Sequence, residues 1–69
     1  MYNLIHINYT SDDNINYIGY GIHETESNLI INDITTDKAR LEQLVDTMNR
    51  LQVSPIHARD VVDDFLAAI

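Results

Sequence analysis

The spacing of apolar residues changes once along this chain, close to residue 35, and this change limits the folds open to it. Before that point, apolar side chains alternate or form short β-branched and aromatic groups, which predicts strands. After it, they recur at steps of three and four residues, which predicts helices. A run of strands followed by a run of helices is typical of an α+β fold.

Three strands are predicted in the first half of the chain. The segments rich in β-branched and aromatic residues are 4–9, 15–22 and 29–34. Clusters of turn-forming residues separate them, and connections this short predict an antiparallel meander. Gly19 and Gly21 share one face of the second strand, where they leave a bare strip that a backbone, an aromatic ring or a helix can approach closely.

Two helices are predicted in the second half. The first runs from about Asp37 to about Leu51, and the second opens at Ser54 and Pro55, which suit a cap and a first turn. The apolar positions expected to face the sheet are Leu41, Leu44, Val45, Met48 and Leu51, then Ala58, Val61, Val62, Phe65, Leu66 and Ile69. The predicted fold is therefore a three-stranded antiparallel sheet followed by two helices packed on one face, in a single domain of residues 1–69, with strands in 1–34 and helices in 35–69.

The chain has 69 residues and no cysteine. A core this small is near the lower limit for independent folding, so we expect support from a partner or from self-association. The lack of cysteine excludes disulfides and thiol nucleophiles and fits a reducing compartment. No apolar run approaches the roughly 20 residues that span a bilayer, and no signal peptide is recognisable, so we expect a soluble cytoplasmic protein.

Charge is distributed unevenly. The formal net charge is -7, and residues 1–34 contain no lysine or arginine. Nucleic acids and anionic membranes are bound through clustered basic residues, so neither is expected as a direct partner. A basic protein partner is compatible with this charge, and so is a role in solubility alone.

Candidates for chemistry lie in the predicted second helix. Helical spacing places His57, Asp60 and Asp64 on one face, as an acid–base group or a divalent metal site would require. A solvated face, with Arg59 paired to Asp63, is the simpler interpretation. The serines lie in turns or caps and the chain has no nucleophile elbow or P-loop. We therefore expect no catalysis, no metal and no cofactor.

Candidates for an interface lie mainly in the anionic half. Ile15 and Tyr17 are predicted to face away from the helices, where they form an exposed apolar strip. The acidic candidates are Asp12, Asp13, Glu24 and Glu26 in predicted turns, with Asp60 and Asp64 in the second helix. Of the last two aspartates, Asp64 is the stronger candidate for a functional role, because Asp63 can pair with Arg59 on the same helix whereas Asp64 has no such local partner.

Several segments of this chain together resemble a family of small uncharacterised bacterial proteins found in Firmicutes. They are Tyr20-Gly21-Ile22, Asp33-Ile34-Thr35 with Asp37, Leu44-Val45 with Asn49, Ser54-Pro55 with His57, and Asp60 to Leu66. The resemblance covers roughly residues 20–66. It implies strands followed by helices and a bacterial or phage cytoplasmic setting, and it implies no particular chemistry.

Two functions from different classes follow. The leading one is a small non-catalytic acidic module for protein–protein interaction, which binds a protein partner or pairs with a second copy as a homodimer. The alternative is a phage-type anti-defence inhibitor or nucleic-acid mimic. In that case Asp12, Asp13, Glu24 and Glu26 present phosphate-like charge to the basic channel of a nucleic-acid enzyme.

Overall fold

A computed structural model describes residues 1–68. The elements are strands β1 (Tyr2–Thr10), β2 (Asn16–Glu24) and β3 (Leu29–Thr35) and helices α1 (Lys38–Arg50) and α2 (Pro55–Ala68). The strands form an antiparallel sheet in the order β1-β2-β3. The predicted α+β fold, a meander followed by two helices on one face, is confirmed.

The first hairpin turns through a short loop between β1 and β2. Asn14 adopts a left-handed conformation, with φ of 61°, and its N–H donates to the Ser11 carbonyl at 2.9 Å. The Ser11 N–H in turn donates to the Ile15 carbonyl at 2.9 Å and closes the loop. Asparagine tolerates this backbone conformation better than most residues, so the sequence suits a type I turn with a bulge.

The pairing of β2 with β3 is interrupted by a bulge. Tyr20 pairs with Thr35 and Ile22 pairs with Ile31, so β3 has more residues than β2 between these two pairs. Asp33, inside the bulge, has a positive φ of 53°. Gly21 lies opposite, and the Ile31 carbonyl occupies the place where a side chain at that position would begin. A glycine is therefore required there.

The core lies between one face of the sheet and the two helices. Its buried apolar residues are Tyr2, Ile22, Ile31, Ile34, Leu41, Val45, Met48, Ala58 and Val62. Leu44, Val61 and Phe65 pack against this cluster while partly exposed. Leu51 and Leu66, predicted to be buried, are exposed, and Ile69 lies outside the described residues. Leu51 is exposed because it caps α1, where the chain leaves the helix.

Tyr2 joins β1 to the helical layer. Its N–H donates to Asn49 Oδ1 at 2.7 Å, and its carbonyl accepts from Asn49 Nδ2 at 2.8 Å. Its hydroxyl donates to the Val53 carbonyl at 2.7 Å in the link between the helices. Since β1 is an edge strand, the Asn49 amide takes the place that a neighbouring strand would have there.

Helix α1 ends in a Schellman motif. The Val53 N–H donates to the Met48 carbonyl at 3.0 Å, and the Gln52 N–H donates to the Asn49 carbonyl at 3.2 Å. Gln52 has a φ of 52°, which glycine adopts without the clash that a Cβ introduces. Helix α2 begins where the Ser54 carbonyl accepts from the His57 N–H at 2.9 Å. Over residues 1–68, neither helix combines the length and the apolar character needed to cross a bilayer.

Replacing Gln52 with glycine is expected to stabilise the protein by about 1 kcal/mol, because it removes the cost of a left-handed residue that has a Cβ. Urea denaturation gives the free energies of unfolding. Gln43→Gly, at an exposed position inside α1, is the matched control and is expected to lose about 0.5–1 kcal/mol. A destabilised Gln52→Gly variant would contradict the helix end described here.

Asn49→Ala is expected to destabilise the protein by about 2 kcal/mol, since two hydrogen bonds to the Tyr2 backbone are lost. Asn8→Ala, at an exposed position of β1, is the control and is expected to stay within about 0.5 kcal/mol of the wild type. Equal effects of the two changes on the free energy of unfolding would mean that Asn49 does not hold the edge strand.

Candidate functional site

One face of the sheet has no helix over it, and we call it the open face. The strand register fixes its members through the cross-strand pairs on that side of the sheet. They are Ile5 with Gly21, Ile7 with Gly19, Tyr9 with Tyr17, and His23 with Ile30. The helices pack against the opposite face, through Tyr2, Ile22 and Ile31.

The open face presents large apolar side chains to solvent. Ile7, Tyr17 and Ile30 are 37%, 38% and 49% exposed. They come from three different strands, so the sheet gathers residues that are far apart in the sequence. An apolar patch spread over a rigid sheet is typical of a protein-binding surface.

Two tyrosines stack on the open face. The rings of Tyr9 and Tyr17 have centroids 5.3 Å apart and lie 20° from parallel. The edge of the Tyr9 ring lies over Gly19, with Cε2 only 2.6 Å from the place where a Cβ would start. Of the three approaches that the sequence left open for the glycine strip, the structure shows an aromatic ring at Gly19 and a backbone at Gly21, and no helix lies over either glycine in the described residues.

A carboxylate accompanies the tyrosines. Asp33 Oδ1 also lies 2.6 Å from the position of a Cβ on Gly19, so this carboxylate and the Tyr9 ring edge are neighbours. Burial raises the pKa of the Tyr9 phenol, and the negative charge of Asp33 raises it further. The bulge in β3 brings Asp33 to this point. The open face thus combines apolar, aromatic and anionic groups.

The sequence-predicted interface residues lie in several places. Tyr17 is on the open face, as predicted, while the exposed Ile15 is in the loop before β2, next to Asp12 and Asp13. Glu26 is exposed in the turn between β2 and β3. Asp60 and Asp64 are exposed on α2, in the layer on the other side of the sheet. The structure therefore does not bring the predicted candidates into one site.

Glu24, predicted to offer its charge to a partner, is instead buried, with 3% of its surface exposed. Its Oε2 accepts from the Ser27 N–H at 2.7 Å and from the Ser27 hydroxyl at 2.6 Å. Its Oε1 accepts from the Glu26 N–H at 3.1 Å and from the Met1 amino group at 2.9 Å. The carboxylate is used to organise the turn after β2, so this expectation is wrong.

These bonds shift the protonation of Glu24. Hydrogen bonds from the Ser27 hydroxyl and N–H favour the charged carboxylate and, with the Met1 amino group, lower its pKa from 4.5 to about 2. Burial acts in the opposite direction and is outweighed. The turn therefore holds an ionised carboxylate at all but strongly acidic pH.

The acid–base candidates on α2 are solvent-exposed. His57, Asp60 and Asp64 all lie at the surface of this helix. No set of three or more potential metal-ligating side chains comes together within residues 1–68. The expected pair of Arg59 with Asp63 is not among the ion pairs formed in that range; on α1, Lys38 lies 3.7 Å from Glu42 and Arg40 lies 3.4 Å from Asp37.

Sequence reasoning missed Ile7, Ile30 and Asp33 as members of the open face. The alternation of β1 could have identified Ile7, because it shares the parity of Tyr9. Asp33 could not be found in this way, since the bulge breaks the alternation of β3. Ile18 lies on the side of the sheet that carries the helices, but it is exposed because its end of the hairpin is not buried beneath them.

The depressed pKa of Glu24 predicts a loss of stability in acid. Its contribution is fully present above the unfolded-state pKa of 4.5 and is lost as the pH falls through about 2. We expect the difference in unfolding free energy between the wild type and Glu24→Gln to be largest above pH 5 and to shrink toward pH 2. Urea denaturation at several pH values measures it. Glu26→Gln, at an exposed position, is the control, and a pH-independent Glu24→Gln difference would contradict the assignment.

Comparison with known proteins identifies a family and no individual relative. No curated protein and no solved structure matches this chain significantly. The model of a family of unknown function, DUF6514, matches residues 1–68. This match includes all the strands and helices described above. The chain therefore belongs to the DUF6514 family of unknown function.

Proposed function

We propose that this protein is a small non-catalytic interaction module that binds a basic protein partner through the open face of its sheet. One observation carries the proposal: Ile7, Tyr17 and Ile30 remain substantially exposed on a face that neither helix covers. A domain of 69 residues has little apolar surface to spare, so large exposed side chains on one rigid face favour a role in binding.

Charge favours a basic partner over a second copy. The formal net charge is -7, and residues 1–34, which include all the residues assigned to the open face, contain no lysine or arginine. A second copy brought face to face would bring the exposed acids of this half, Asp33 with Asp12, Asp13 and Glu26, toward like charges. A basic partner would be attracted instead, and the charge would also accelerate its association.

A non-catalytic role is supported by how two of the three serine hydroxyls, those of Ser11 and Ser27, are used. Ser11 Oγ accepts from the Ile15 N–H at 3.2 Å, and the Ser27 hydroxyl donates to Glu24. Both stabilise turns. Neither bond is to an imidazole that could activate the hydroxyl as a nucleophile.

The nucleic-acid mimic is the weaker candidate. Glu24 is committed to its turn, and the remaining acids of the proposed set lie at opposite ends of β2, with Asp12 and Asp13 at one end and Glu26 at the other. The nine residues of this strand separate them by roughly 30 Å. A phosphate-like row would need carboxylates at closer, regular intervals.

We also infer a bacterial or phage source related to Firmicutes and a cytoplasmic location. The support is the resemblance of segments within residues 20–66 and the lack of cysteine, which fits a reducing compartment. Fractionation of the cells that express the protein checks the location.

Immobilised protein tests the proposed function in a lysate of the organism that encodes it. We expect a partner to be retained by the wild type, lost with the double variant Ile7→Ser and Ile30→Ser, and kept with Ile56→Ser. Ile56 is the matched control because it is 84% exposed on α2, in the helical layer. Circular dichroism verifies that each variant folds. Mass spectrometry identifies the retained partner, and the sequence of that partner shows whether it is basic.

The outcomes separate the alternatives. If the double variant Ile7→Ser and Ile30→Ser retains the partner as well as the wild type does, the proposal is overturned. Retention lost instead with Asp12→Asn, Asp13→Asn and Glu26→Gln, and steeply weakened by salt, would favour mimicry. Sedimentation across a dilution series that gives a dimer sensitive to Ile7→Ser and Ile30→Ser would replace the basic partner with a second copy.

A further inference from the structure

The Tyr9, Tyr17 and Asp33 side chains form a distinct group on the open face, which we call the tyrosine–aspartate site. The two rings stack at 5.3 Å, and the Asp33 carboxylate and Tyr9 both lie over Gly19. The bulge that carries Asp33 requires a left-handed residue, with φ of 53°. A strained backbone position thus holds a charged group beside the Tyr9 ring, which in turn stacks on Tyr17, an arrangement that needs an explanation.

Packing alone does not provide one. The Asp33 residue is exposed, and no salt bridge formed within residues 1–68 includes it. Stability would be served as well by asparagine or glycine, which adopt a positive φ more readily. The negative charge, held against an aromatic edge, is therefore the feature to account for.

We infer that the tyrosine–aspartate site binds the guanidinium group of an arginine presented by the partner. A carboxylate can accept two parallel N–H bonds from a guanidinium, and the planar cation can stack on an exposed tyrosine ring. Tyr17, at 38% exposure, offers such a surface. This inference rests on the proposed function, because it assigns the chemistry by which the open face recognises its partner.

Arginine is favoured over lysine by the geometry. Two stacked rings and one neighbouring carboxylate combine a flat surface with an acceptor at its edge. The guanidinium matches both at once, whereas an ammonium is a strongly hydrated point charge with no planar face. The apolar side chains of Ile7 and Ile30 lie on the same face, where they can contact the rest of the partner.

The test is an NMR titration of the full chain with N-acetyl-arginine amide. The matched probe is N-acetyl-citrulline amide, which has nearly the same shape and no charge. We expect the arginine probe to cause saturable shifts at the Tyr9 and Tyr17 rings and at the Gly19 amide, in the millimolar range typical of a single side chain. The citrulline probe is expected to bind at least several-fold more weakly.

Asp33→Asn provides the matched variant, because asparagine retains the left-handed backbone and the size of the side chain while the charge is removed. It is expected to weaken arginine binding roughly tenfold, as loss of a charge-assisted hydrogen bond implies. Asp46→Asn removes the same charge from an exposed position of α1 and is expected to leave binding unchanged. Tyr17→Leu keeps an apolar side chain and is expected to reduce binding by removing the ring.

Failure of this inference is distinguishable from failure of the proposed function. Equal binding of arginine and citrulline, or equal binding by Asp33→Asn and the wild type, overturns the arginine site. Partner capture that still depends on Ile7 and Ile30 would then leave the interaction module in place. If the Ile7 and Ile30 substitutions do not change partner capture, the interaction module itself is overturned, whatever the arginine and citrulline titrations show.

Discussion

The attachment of Tyr2 to Asn49 is the constraint on which the rest of the structure depends. The unpaired backbone N–H and C=O groups of an edge strand cannot form a regular ladder of hydrogen bonds with a helix. Here the Asn49 side-chain amide bonds to both backbone groups of Tyr2, accepting from its N–H and donating to its carbonyl. The Tyr2 hydroxyl adds a bond to Val53, next to the end of α1. These bonds join α1 to the start of β1, while the other end of the first hairpin, at Ile18, and the opposite face of the sheet remain exposed.

The uncovered face acquires its character from two glycines and one bulge. Gly19 admits the Tyr9 ring and the Asp33 carboxylate, while Gly21 admits the backbone of β3. Without these gaps, side chains would separate the groups that now lie together. The same features that make the sheet irregular therefore place aromatic, apolar and anionic groups together on one face of the sheet.

The acids of the first half have different roles although they are chemically alike. Glu24 is buried and accepts hydrogen bonds from the turn after β2, which lower its pKa to about 2 and keep the carboxylate ionised. Asp33 remains exposed beside aromatic rings, where a cation from outside can reach it. Formal charge alone cannot distinguish them, because the distinction depends on which donors lie within hydrogen-bonding distance after folding.

The sequence by itself determined the order of strands and helices, the meander and most core positions, since local periodicity fixes which residues share a face. It also indicated that Gly19 and Gly21 leave a bare strip on one face of β2, without deciding whether a backbone, a ring or a helix would approach it. Only the tertiary structure decided that Glu24 is buried, that Leu51 and Leu66 are exposed, and that Asp33 meets Tyr9. These outcomes depend on where a helix ends, where a bulge shifts the register and which elements lie on top of one another. Such contacts join residues distant in the sequence, and no local pattern encodes them.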